Sequence, residues 1–89
     1  MLKKYSSLYI ATYERYVNMF LSDHFEEGLG EDTLMADVYL RFARVMQTTY
    51  PFAAIPKPKA FTAVAKRLGF YIARKGRDKK TYLMNKKFV

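Results

Sequence analysis

A chain of 89 residues, half of them apolar and many aromatic, can bury a core without metals or disulfides, so residues 1–89 are expected to fold as a single domain. The lack of cysteine excludes a disulfide framework, a thiol nucleophile and a cysteine-based zinc site, and suits a reducing compartment, the cytoplasm of a bacterial or other host cell. The net charge of +8 is unevenly placed: residues 1–56 carry five bases against seven acids, while residues 57–89 carry eleven bases against the single acid Asp78, which points to a polyanionic partner rather than a mixed-sign surface.

The first helix is predicted over about 6–27. Ile10, Tyr13, Val17, Phe20, Leu21 and His24 recur at three- and four-residue spacing, Ser6 and Ser7 offer caps, and "GLG" at 28–30 ends it. Thr12, Glu14 and Arg15 interrupt its apolar residues, unlike a secretion signal. No apolar stretch reaches the roughly 20 residues of a membrane span, so no membrane partner is expected. Tyr5, Tyr9, Tyr13 and Tyr16 form a second stripe. Those rings either cover the edge of the core or present a partner surface, through which two copies could pair as a homodimer.

The second helix is predicted over about 33–48, capped by Asp32 or Thr33, with Met35, Val38, Tyr39, Phe42, Val45 and Met46 on its apolar face. Three prolines within residues 51–58 make the next stretch an ordered loop. The third helix, about 58–68, starts at Pro58 and places Phe61, Val64, Ala65 and Leu68 on a narrow apolar stripe. Its other face offers Lys59, Thr62, Ala63, Lys66 and Arg67, long cations among small side chains. Gly69 stops the helix. "FYIAR" (70–74) and "TYLMN" (81–85) then read as strands, and Gly76 and Asp78 as turn formers between them. The predicted hairpin, within a segment of about 70–88, crowds Arg74, Lys75, Arg77, Lys79 and Lys80 at or near its tip. Part of that crowding could serve to keep an edge strand from pairing. Tyr71 and Tyr82 read as structural strand residues.

Helix, helix, loop, helix and basic hairpin is the order of an α+β winged helix-turn-helix domain, whose third helix enters the major groove of DNA while the hairpin wing lies on the backbone or in the minor groove. The two features that would touch DNA are the two that hold the charge. Residues 20–88 also resemble the winged-helix domain at the C-terminal end of phage, plasmid and poxvirus-type primase-helicases, through "DVYLRF" (37–42), "KPKAFTAVAKRLGF" (57–70), "ARKGRDKK" (73–80) and "TYLMN" (81–85). The resemblance implies double-stranded DNA as partner, with Lys57, Lys59, Thr62, Lys66 and Arg67 contacting it from the third helix, and Arg74, Lys75, Arg77, Lys79 and Lys80 from the wing. Arg67, Arg74 and Arg77 are expected to matter most, because arginine holds phosphate with two parallel donors, and Thr62 and Lys66 suit base edges. Without helicase motifs, the chain fits a small phage or mobile-element accessory or regulatory protein in replication or transcription.

Two other readings stay open. The tyrosine stripe and the acidic stretch 23–32 would suit a protein-interaction module, an adaptor or inhibitor of a host or replication protein. The basic face would also suit RNA, although A-form grooves do not admit a recognition helix. Catalysis finds no support. His24 is the single histidine and has no ligand partners at metal spacing, "EEGLGED" (26–32) lacks the spacing of a calcium loop, and "GLG" and "KGRDKK" lack the rest of a nucleotide-binding motif. No cofactor is expected.

Overall fold

The spacing that predicts the first helix holds only as far as Asp23. The computed structural model describes the backbone of residues 7–89 and the side chains of residues 13–89. In chain order the elements are α1 (Ser7–Asp23), β1 (Phe25–Glu27), β2 (Thr33–Leu34), α2 (Met35–Thr49), α3 (Pro58–Arg67), β3 (Ile72–Lys75), β4 (Lys80–Leu83) and β5 (Lys86–Phe88). The chain is thus a small α+β domain of three helices and two antiparallel sheets. One sheet is β1–β5 and the other has the order β2–β4–β3.

The helix expected to reach residue 27 closes its last turn when the His24 N–H donates to the Phe20 carbonyl at 2.9 Å. The chain then extends. Phe25 drops into the core while Glu26 and Glu27 stay exposed, and β1 pairs with β5 so that Phe25 faces Phe88 with ring centroids 4.6 Å apart. The Val89 N–H donates to the His24 carbonyl at 3.0 Å, which prolongs the ladder. The glycines at 28 and 30 therefore do not end the helix. They lie in the link between β1 and β2, where the Gly30 N–H donates to the Asn85 side-chain oxygen at 3.0 Å. His24 matched the helical period because its ring stacks on Phe20 at 4.9 Å.

Neither expected cap of the second helix acts as one. Leu34 holds the cap position with no side-chain cap bond. Thr33 and Leu34 form β2 instead, and the Thr33 hydroxyl donates to the Lys86 carbonyl at 2.9 Å. From there α2 buries Met35, Val38, Phe42 and Met46, the three- and four-residue period of one helix face. The proline-rich link is tied down by a fully buried Pro56, whose carbonyl accepts the Tyr39 hydroxyl at 2.7 Å. Burial pushes the Tyr39 phenol above its ordinary pKa. Pro58 opens α3, which buries Ala60, Phe61, Val64 and Ala65 and gives way to Gly69 at φ 97°, a conformation glycine adopts at no steric cost.

The hairpin is offset from the expected strands. β3 and β4 occupy 72–75 and 80–83, with Ile72 opposite Leu83 and Lys75 opposite Lys80. The second strand does not run on to residue 85, because Asn85 takes a left-handed φ of 57° and redirects residues 86–88 onto β1. β4 is the central strand: Leu83, 1% exposed, lies between Thr33 and Ile72, so the hairpin is wired to the residues that open α2.

Three rings knit the helices. Phe42 and Phe61 lie 4.6 Å apart, and Phe20 sits 5.4 Å from Phe42 and 6.4 Å from Phe61. Tyr13 joins this core at 5% exposure, which removes it from the expected partner stripe. Tyr16 is half-buried against Tyr50 at 4.8 Å. The side chains of Tyr5 and Tyr9 lie outside the described residues.

Candidate nucleic-acid interface

The outer face of α3 and the hairpin strands enclose a shallow groove of about 610 Å³. Pro58, Lys59, Thr62, Ala63 and Lys66 contribute one wall; Ile72, Ala73, Arg74 and Thr81 contribute the other. The helix places its wall because its opposite face is spent on Phe61, Val64 and Ala65. Small or short side chains dominate the floor and cations stand on the rim. A floor of that kind lets a polymer backbone come close, and its rim supplies positive charge where that backbone would run.

Ion pairs sort the eleven bases of residues 57–89 into two groups. Five meet an acid. Arg67 reaches Glu14 of α1 at 2.8 Å, Lys86 meets Glu27 at 2.5 Å, Lys87 meets Glu31 at 3.3 Å and Lys80 lies 3.7 Å from Asp78. Lys75 binds Asp32, with its ammonium 5.0 Å from the centre of the Tyr82 ring. The other six, Lys57, Lys59, Lys66, Arg74, Arg77 and Lys79, are exposed and make no ion pair among the described residues. These six belong to α3, its N-cap and the hairpin. The acids of α1 and the 27–32 link thus neutralise bases elsewhere and leave the groove and the hairpin tip positive.

Of the ten residues expected to touch DNA, Lys59, Thr62, Lys66 and Arg74 share the groove. Lys57 caps α3 from outside it, and Arg77 and Lys79 occupy the hairpin turn. Lys75 and Lys80 sit opposite each other at the end of the ladder, each beside its acid. Arg67, expected to have one of the largest effects, is directed to α1 instead. Pattern alone puts Lys66 and Arg67 off the apolar stripe, but neighbours on a helix diverge around its axis. Tyr82 is half-buried beneath Lys75, and Tyr71 is exposed just ahead of β3.

Asp32 was missed as a site residue. Its carboxylate accepts the Asn85 N–H at 2.9 Å and binds Lys75 through the other oxygen, so one side chain joins the 28–32 link, the turn end of β3 and the β4–β5 turn. The Lys75 ammonium, and then the Asn85 N–H, hold its carboxyl below the usual carboxylate range. A lowered folded-state value stabilises the fold fully above the unfolded value, near pH 4, and that contribution is lost as pH falls through the folded value. Asp32→Asn is therefore expected to lower the melting temperature at pH 7, and the gap to the native chain should narrow on acidification to pH 3. Thermal unfolding followed by circular dichroism at both pH values checks this; a gap unchanged at pH 3 would assign the loss to shape rather than charge.

Among the described residues no three of His, Asp and Glu come together as a metal cluster, and no helix is long and apolar enough to cross a membrane. No protein-family model, curated protein or solved structure matches this chain.

Proposed function

We propose that the domain is a winged helix-turn-helix that binds duplex DNA, with α3 as recognition helix and β3–β4 as wing. The carrying observation is the sorting of charge within residues 57–89: of their eleven bases, the six left without an acid all lie on α3, its N-cap or the hairpin. The strand order β2–β4–β3, with β2 leading straight into α2, supports the same reading. A phage or mobile-element accessory or regulatory protein, working in the host cytoplasm in replication or transcription, fits a small basic domain of this kind.

Binding to a random-sequence 20-base-pair duplex across a salt series tests the proposal. Each neutralised phosphate adds about −0.9 to the slope of log K against log salt, so six free cations set an upper magnitude near −5. A slope of about −3 or steeper is expected. Failure to bind in low salt would overturn the DNA reading and turn attention to an adaptor or inhibitor of a host or replication protein. Phe52, fully exposed in the proline-rich link, is the observation that favours such a partner.

A further inference from the structure

We infer that the open edge of β3 takes up an extended acidic peptide as a fourth strand of the β2–β4–β3 sheet, laid in the groove beside α3. The domain would then hold a protein ligand as well as duplex DNA, gripped through its backbone and selected by its carboxylates.

β3 is the outer strand of its sheet, with β4 on one side only. Residues of an antiparallel pair alternate between those that bond across the ladder and those whose N–H and C=O point away from it. The Met84 N–H donates to the Tyr71 carbonyl at 2.9 Å, which sets that alternation. Ala73 and Lys75 bond to Tyr82 and Lys80, while Ile72 and Arg74 turn their N–H and C=O groups outward. Those donors and acceptors have no backbone partner among the described residues. Ile72 and Arg74 project from one face of the strand and Ala73 from the other, yet all three border the groove. A space that touches both faces of a strand runs along its edge. The groove therefore lies where an added strand would lie.

Edge and charge together choose the occupant. The phosphodiester backbone of DNA offers acceptors alone and cannot meet the outward carbonyls of Ile72 and Arg74. A peptide strand brings donors and acceptors in alternation and satisfies both kinds of group. Lys59, Lys66 and Arg74 border the groove and make no ion pair among the described residues, so carboxylates at alternate positions of the strand would face them. A second copy of β3 is disfavoured, because it would set Arg74 and Lys75 against like charges. Tyr71, exposed just ahead of β3 on the Ala73 face, offers a ring to the apolar side of the same peptide.

A blocked, fluorescein-labelled eight-residue peptide of alternating Glu and Val is the probe, titrated against the full chain at low salt. Two companion peptides carry N-methyl groups on the Glu amides or on the Val amides. Both keep the charge, but each loses one of the two alternating rows of N–H groups, and only one row faces β3. One companion should bind about tenfold more weakly or worse, the loss of one or two ladder bonds, and the other should stay close to the unmodified peptide. Lys59→Gln with Lys66→Gln should weaken the unmodified peptide by about tenfold. No binding of the unmodified peptide, equal effects of the two methylation patterns, or an affinity unmoved by the lysine substitutions overturns the inference. None of these outcomes touches the DNA reading, which stands or falls on the duplex titration.

Discussion

Phe61→Ala is expected to lower the stability of the domain by about 3–5 kcal/mol, the range for deleting a buried phenyl ring. Phe61 has no exposed surface and lies 4.6 Å from Phe42, 5.7 Å from Tyr39 and 6.4 Å from Phe20. Its removal leaves a void where all three helices meet, and the neighbouring rings cannot close it without giving up their own contacts. A domain of this size is stable by roughly 5–15 kcal/mol, so the loss is a large share of the total. Urea unfolding followed by circular dichroism reads it directly. A loss below about 1 kcal/mol would mean that the three-ring contact does not hold the helices together.

The second large effect separates the free cations from the paired ones. Changing Lys59, Lys66 and Arg74 together to Gln removes three positive charges from the groove rim. If each meets a phosphate, the salt slope should become shallower by about 2.7, and affinity at 0.1 M salt should fall by a few hundredfold. Changing Lys80, Lys86 and Lys87 to Gln removes the same charge from residues that face Asp78, Glu27 and Glu31. That variant should keep its slope within about one unit of the native chain, and exposed ion pairs of this kind contribute little to stability, about 0–1 kcal/mol each. Equal losses in the two variants would show that net charge alone governs binding and that the groove has no part in placing the polymer.

The helices were legible where one residue type carried one meaning. Pro58 can open a helix and Gly69 can stop one, and Phe61, Val64 and Ala65 between them keep one period. The short strands were not legible. β1 and β2 have three and two residues, too few to show alternation, and Glu26 and Glu27 extend a helical pattern as well as they form a strand edge. What decides between these is Phe88, far along the chain, which offers Phe25 a partner that a longer helix would forfeit. Asp32 was misread for the same reason. Its type suits a helix cap, but Asn85 and Lys75 claim the carboxylate first. The basic groove followed from composition and period, whereas the division between free and paired cations depends on acids that folding brings from distant segments.

The pairing of β1 with β5 also bears on the order of folding. It joins residue 25 to residue 88, whereas the β3–β4 hairpin closes a turn of four residues and each helix forms from its neighbours in sequence. Long-range closure carries the larger loss of chain entropy and comes late along such a route. Helices and hairpin can assemble first, with the Phe25 face and the 28–32 link still open. Strand β5 then acts as a clasp, bringing Asn85 within reach of Gly30 and Asp32 in one step, so the last strand to pair completes the framework that holds the hairpin.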